Sequence, residues 1–336
     1  MSELKFSLND ISIEPAILSD IESRNECNPF YEDVRLPLFT APMPTVVDEN
    51  NYMLFHENNI IPIMPRTIDY QKRLNLLNDN QWVAFGLEEI KQLIKEKHTY
   101  LLINTPHILI DIANGNMKIL YDLVDKIKEI NSSAVIMIGN IANPDTYKIC
   151  CQYKIDYVRC GIGGGSYCLT SSNTGIYYPM GSLIHEIDKI KYQYKCENKF
   201  TTKIIADGGL KNYSDIIKVL ALGADYAMCG TLFAQMEETP GNVIDFDENG
   251  KKFLKKEMYG MSSKIAQKLT GKTELKTSEG KIGEIRIKYT MKQWRDNFVD
   301  YLKSAMSYTG KRTLNEFVGN VDILHLTQNA SQSFNK

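Results

Sequence analysis

The chain has 336 residues, 43% of them hydrophobic, and a formal net charge of −2. That length holds two ordinary domains or one large α/β barrel, and the near-neutral charge excludes bulk attraction to nucleic acid or to a membrane surface. No apolar run approaches the roughly 18 residues that span a bilayer, and Met1-Ser2-Glu3-Leu4-Lys5 lacks the pattern of a signal peptide. In chain order, short apolar runs predict strands at 36–40, 60–64, 82–86, 107–112, 134–139, 156–160, 203–206 and 225–229. Amphipathic stretches predict helices at 69–77, 87–96, 117–130, 144–153, 182–194 and 212–222. Continuous apolar strands with intervening helices imply a parallel sheet covered on both faces. Eight such units point to a (β/α)₈ TIM barrel, a single domain over 1–336 with terminal extensions. A doubly wound sheet is the alternative that periodicity leaves open.

Seven cysteines at irregular spacing indicate a reducing, cytoplasmic setting. No CxxC pair and no HExxH occurs, which argues against zinc. Cys150, Cys151, Cys160, Cys196 and Cys229 read as small buried hydrophobes, and Cys27, in a polar stretch, as exposed. Cys168 stands apart. Gly161, Gly163, Gly164 and Gly165 precede it, and Ser166 and Thr170 flank it, directly after the apolar run 156–160. A glycine-dense loop turns its amides and carbonyls toward a ligand, and a thiol presented there is placed to attack an electrophilic carbon. The run 251–256 and the polar tail beyond Val318 read as solvated surface, and Trp82 and Trp294 as packing.

Polar or glycine residues follow several strands: Asp111-Ile112-Ala113-Asn114-Gly115, Gly139-Asn140, the cysteine loop, Asp207-Gly208-Gly209 and Gly230-Thr231. In a barrel these converge on the C-terminal face, where active sites are built. The last two suit a phosphate approached by backbone N–H groups.

These segments, with Phe6-Ser7-Leu8-Asn9-Asp10-Ile11, Ser23-Arg24, Ala41-Pro42-Met43-Pro44-Thr45-Val46, Tyr259-Gly260-Met261-Ser262-Ser263, Ser278-Glu279-Gly280 and 304–310, resemble in order and spacing the IMP dehydrogenase/GMP reductase family. The resemblance runs from Phe6 to Val318 and implies a (β/α)₈ barrel. Many dehydrogenases of the family carry a two-module CBS-type insert between the second helix and third strand; only a short helical stretch stands there in this chain. Residues 264–278 contain no arginine and no tyrosine, so the dehydrogenases' Arg-Tyr flap is missing. Both features, and the Tyr-Gly-Met-Ser-Ser form, are similar to the reductase branch. A dehydrogenase lacking the insert, or a diverged purine-nucleotide oxidoreductase, remains the alternative.

The resemblance implies the following roles. Cys168 is the nucleophile at the purine carbon bearing the amino group, and Thr170 and Glu279 relay the proton that departing ammonia takes. Ser166, Gly208, Gly209, Gly230 and Thr231 surround the phosphate, Asp207 binds the ribose, and Gly260, Met261 and Ser262 line the base. NADPH lies against Asp111, Ile112 and Ala113, with Lys276 nearby, and reaches a neighbouring subunit through Ser23, Arg24, Ser304 and Ser307 in a homotetramer. Backbone carbonyls of Gly163, Gly165 and Cys168 hold a potassium ion. The chain departs from the family pattern at Gly164 (usually proline), Ser171 and Lys276 (arginine), Pro44 (aspartate) and Thr231 (glycine). Met64-Pro65-Arg66 stands where reductases place a lysine, and Arg66 offers a charge one position over. These changes cluster on the cofactor side and the phosphate loop. Two readings of another class, a non-catalytic nucleotide-binding barrel and an unrelated thiol barrel enzyme, have no use for the joint Cys168, Thr170 and Glu279 set or for the motif order.

Overall fold

The computed structural model describes residues 4–95, 105–248, 251–271, 274 and 277–334. Each predicted apolar run forms a strand: β1 (Leu38–Thr40), β2 (Ile63–Met64), β3 (Trp82–Phe85), β4 (His107–Asp111), β5 (Val135–Ile141), β6 (Tyr157–Cys160), β7 (Lys203–Asp207) and β8 (Tyr226–Cys229). All are parallel and are hydrogen-bonded in the order β1-β8-β7-β6-β5-β4-β3-β2. The ring closes beside Phe39. There the Ile61 N–H donates to the Leu38 carbonyl at 3.0 Å, and the Thr40 N–H donates to the Ile61 carbonyl at 2.9 Å. A doubly wound sheet keeps two free edges; this sheet is joined end to end, which makes it the (β/α)₈ barrel.

The predicted helices appear as Tyr70–Asn78, Leu87–Lys95, Lys118–Ile130, Thr146–Gln152, Met180–Cys196 and Tyr213–Ala221. Position 96, the last of the predicted 87–96 helix, lies outside the described residues. Two starts show why the chain turns helical there: the Asp69 side chain accepts from the Lys72 N–H, and Asn212 accepts from the Asp215 N–H. The stretch between β2 and β3 is occupied by the Tyr70–Asn78 helix.

Strand alternation divides the core in two. Val83, Phe85, Ile108, Ile110, Ile136, Ile138 and Val158 face the helices, whereas Phe39, Ile63, Trp82, Ala84, Leu109, Met137 and Ile205 fill the barrel. Phe39, Trp82, Tyr157 and Tyr226 meet with ring centroids 5.0–5.9 Å apart and plug one end of the interior. One pleat repeat further along, the inward positions become Asp111, Arg159 and Asp207. The barrel thus changes from aromatic to charged toward its C-terminal face.

Three readings are corrected. Cys27 is 2% exposed because the turn Arg24–Glu26 seats it in the main core. Cys196 is exposed, as the last residue of its helix. The run 251–256 opens a strand, β10 (Lys251–Tyr259), between β9 (Val243–Glu248) and β11 (Ile282–Arg286). Its alternation turns Lys256 inward beside Met258, where the ammonium donates to the Met236 carbonyl, the Thr239 carbonyl and the Thr239 hydroxyl. Burial pushes Lys256 down to about 8. The tail beyond Val318 is half-buried or exposed throughout 319–333, as read from the sequence, although its segment Ile323–His325 pairs antiparallel with Ile11–Ile13.

Asp188, on the Met180–Cys196 helix, packs so closely on Gly223 that a Cβ there would lie 2.2 Å from its carboxyl carbon. Burial pushes its carboxyl up to about 6, Lys191 opposes the rise and Asp225 adds to it. The folded state therefore holds this proton more tightly than the unfolded chain. The stability it contributes is full at low pH and is lost as pH rises through 6. Asp188→Asn is expected to stabilise the protein by about 1–2 kcal/mol near pH 8 and negligibly near pH 4. Thermal melts of both proteins at the two pH values check this; an equal difference at both would refute it.

Candidate active site

The C-terminal strand ends open onto a cavity of about 280 Å³. The loop after β6 forms one wall. Gly161 has φ +134°, and a Cβ on it would sit 2.2 Å from the Asp207 carbonyl, so only glycine lets the β6 and β7 ends approach this closely. The loop then presents Cys168, half-buried, while Cys150, Cys151, Cys160 and Cys229 are buried as read from the sequence. Burial drives the Cys160 and Cys229 thiols well up.

The Cys168 thiol donates to the Thr170 hydroxyl at 3.3 Å, and that hydroxyl donates to Glu279 Oε2 at 2.6 Å. Thr170 and Glu279 are 109 positions apart. A short antiparallel bridge brings them together: Cys168 pairs with Gly280, the Leu169 N–H donates to the Glu279 carbonyl at 2.7 Å, and the Lys281 N–H donates to the Tyr167 carbonyl at 2.9 Å. The result is a continuous hydrogen-bonded path from a thiol, through a hydroxyl, to a carboxylate.

A charged group crosses the cavity floor. Arg159 donates through Nη2 and Nε to Asp207 Oδ2, at 2.8 and 3.2 Å, and through Nη1 to Asp111 Oδ1 at 2.6 Å. Arg66 Nε lies 3.2 Å from Asp111 Oδ2, and Asn140 Nδ2 donates to Asp207 Oδ2 at 2.8 Å. Burial disfavours the charge on Asp111, but Arg66 and Arg159 outweigh it and hold its carboxyl below the usual range. Ser166, Gly208, Gly209, Gly230 and Thr231 also line the cavity. The N–H groups of Gly209 and Gly230 donate to no partner among the described residues, which leaves them for an anion.

The cavity thus brings together Cys168, Thr170, Glu279, Ser166, Asp207, Gly208, Gly209, Gly230, Thr231, Gly260, Met261, Ser262, Asp111, Ile112, Ala113, Gly163 and Gly165. It does not include Ser23, Arg24, Ser304 or Ser307. These form a separate group in which Arg24 donates to the Ser304 hydroxyl at 3.3 Å and to Asp300 at 3.2 Å. Lys276 lies outside the described residues. Of the departures, Thr231, Gly164 and Arg66 line the cavity and Pro44 does not. The Ser171 hydroxyl donates to the Gly163 carbonyl at 2.9 Å, and the Cys168 N–H donates to the Gly165 carbonyl at 2.9 Å. Each of these two carbonyls keeps a second lone pair, so the loop still offers neutral oxygen donors of the kind that suit a monovalent cation.

Arg159 escaped the sequence reading. Its one signal was a charge inside an otherwise apolar strand. Among the described residues, no helix is long and apolar enough to cross a membrane.

Known proteins are similar to this chain over most of its length. Residues 80–334 match the family model described as the IMP dehydrogenase / GMP reductase domain. The chain is 29% identical over 327 residues to a GMP reductase of Clostridium acetobutylicum, covering 93% of each. It is 30% identical to one of Oceanobacillus iheyensis and 29% to one of Bacillus subtilis, covering 94% of each chain in both cases. With that match, the barrel and the motif order along it, the chain belongs to the IMP dehydrogenase/GMP reductase family.

Proposed function

We propose that this protein is a GMP reductase, converting GMP to IMP and ammonia with NADPH as reductant, as one barrel unit in the cytoplasm. The observation that carries this reading is the hydrogen-bonded path Cys168–Thr170–Glu279. The thiol gives its proton through Thr170 to Glu279, and the sulfur attacks the purine carbon that bears the amino group. A C–S bond forms, and the adjacent C=N pair shifts to the ring nitrogen. The C–N bond to the amino group then breaks. Glu279 returns its proton through Thr170, so that ammonia leaves rather than an amide anion. A thioimidate on Cys168 remains. A reduced nicotinamide coenzyme, when bound, supplies the hydride that replaces sulfur at that carbon and frees IMP.

Other groups serve binding. The free amides near Gly209 and Gly230, with Ser166 and Thr231, would take the phosphate, Asp207 the ribose, and Gly260, Met261 and Ser262 the base. Asp111, Ile112 and Ala113 would face the coenzyme. Asp111 is neutralised by Arg66 and Arg159, so this wall presents no net negative charge to a phosphate-bearing ligand. Carbonyls of Gly163, Gly165 and Cys168 would hold potassium. The Ser23, Arg24, Ser304 and Ser307 group lies outside the cavity of its own chain, which supports coenzyme contacts from a neighbouring copy in a homotetramer.

The test follows absorbance at the reduced-nicotinamide band. Purified protein with GMP is expected to oxidise NADPH and release ammonia in equal amounts. Reduction of NAD⁺ with IMP to give XMP, without GMP-dependent activity, would overturn the reading in favour of the dehydrogenase.

A further inference from the structure

The charged floor of the cavity has an order that ligand contacts alone do not explain. Arg66, Asp111, Arg159 and Asp207 alternate in sign, and Arg159 joins the two carboxylates. In register, Asp111 of β4 lies beside Gly139 of β5, which lies beside Arg159 of β6. A Cβ at Gly139 would stand 2.4 Å from the Arg159 Cβ. The missing side chain lets the guanidinium cross the middle strand to Asp111.

At its other end the same guanidinium fixes a direction. Two of its N–H groups and the Asn140 amide all converge on Asp207 Oδ2. Oδ1 accepts no hydrogen bond among the described residues. A carboxylate saturated on one oxygen and bare on the other presents a single oriented acceptor to the cavity that Asp207 lines. Lysine cannot reproduce this, because one ammonium cannot span two carboxylates with a planar fork.

We propose that Arg159 is a positioning residue: it aims Asp207 Oδ1 at the ribose diol of the nucleotide and anchors that aim on Asp111. This rests on the purine-nucleotide reading above. Hydrogen bonds to a charged acceptor discriminate strongly against a ligand that lacks the donor, whereas a misaimed carboxylate discriminates weakly.

The experiment measures equilibrium binding of GMP and of its 2′,3′-dideoxy analogue by calorimetry on the full chain, without coenzyme, so turnover does not enter. The wild type is expected to prefer GMP by about 10–100-fold. In Arg159→Lys that ratio is expected to fall to about threefold or less, with affinity for the dideoxy analogue nearly unchanged. A purely structural role would weaken both ligands alike and leave the ratio intact, which would overturn the inference. Asp111→Ala removes the acceptor of Nη1, and should cut the ratio at least about threefold. An unchanged ratio there overturns the inference even if Arg159→Lys does not fold. A wild type that binds no GMP removes the purine-nucleotide reading itself, an outcome distinct from a wild type and variants that discriminate equally.

Discussion

Cys168→Ala is expected to abolish GMP-dependent NADPH oxidation, by about 10⁴-fold or more, the scale for removing a covalent nucleophile. GMP binding should persist within about threefold, because the phosphate and ribose groups, Ser166 apart, stand on other strand ends, and none of them bonds to the sulfur. The contrast is with Cys160 and Cys229, buried at 0% and 2% exposure. Replacing either by alanine should cost about 1 kcal/mol of stability or less and leave turnover within a few-fold. Burial holds their thiols well up, so neither supplies a thiolate near neutral pH. Steady-state rates and calorimetric GMP titrations on the three variants separate these outcomes. Turnover of Cys168→Ala within a few-fold of wild type would rule out covalent catalysis at this sulfur.

What the sequence reveals depends on whether a signal is local. The eight barrel strands are continuous apolar runs because both of their faces are covered, and such runs are visible residue by residue. Closure is not: it rests on Phe39 meeting Ile61, a pairing that no periodicity announces. The charged floor follows the same logic. Arg159 takes its meaning from Asp111 and Asp207, each 48 positions away, and from the empty side of Gly139 between. Lys256 was hidden differently. Within Lys251-Lys252-Phe253-Leu254-Lys255-Lys256 every lysine looks solvated until strand alternation and β11 decide which one turns inward. Cys168 announced itself through its glycines. Glu279 did not, since its neighbours Ser278 and Gly280 are those of an ordinary surface turn. The order of motifs singled it out, and only the bridge between Cys168 and Gly280 supplies the physical reason.

Glu279→Gln separates proton transfer from positioning. The amide keeps the size of the carboxylate and can still accept from the Thr170 hydroxyl, now 2.6 Å from Oε2, but it can neither take nor return a proton. GMP reduction is expected to fall by about 10²-fold or more, the usual scale for losing a positioned acid. The reverse partial reaction, IMP with oxidised nicotinamide, forms the same thioimidate with no ammonia to protonate. It needs only that Cys168 lose its proton, which solvent can accept. That reaction should therefore fall less than GMP reduction, which also needs an acid for the departing ammonia. The two activities are read as nicotinamide absorbance changes, with circular dichroism to show that the variant is folded. Equal losses in both directions would mean that Glu279 only holds Thr170 in place. The proton would then reach ammonia by another route, and the carboxylate at the end of the hydrogen-bonded path would be a brace.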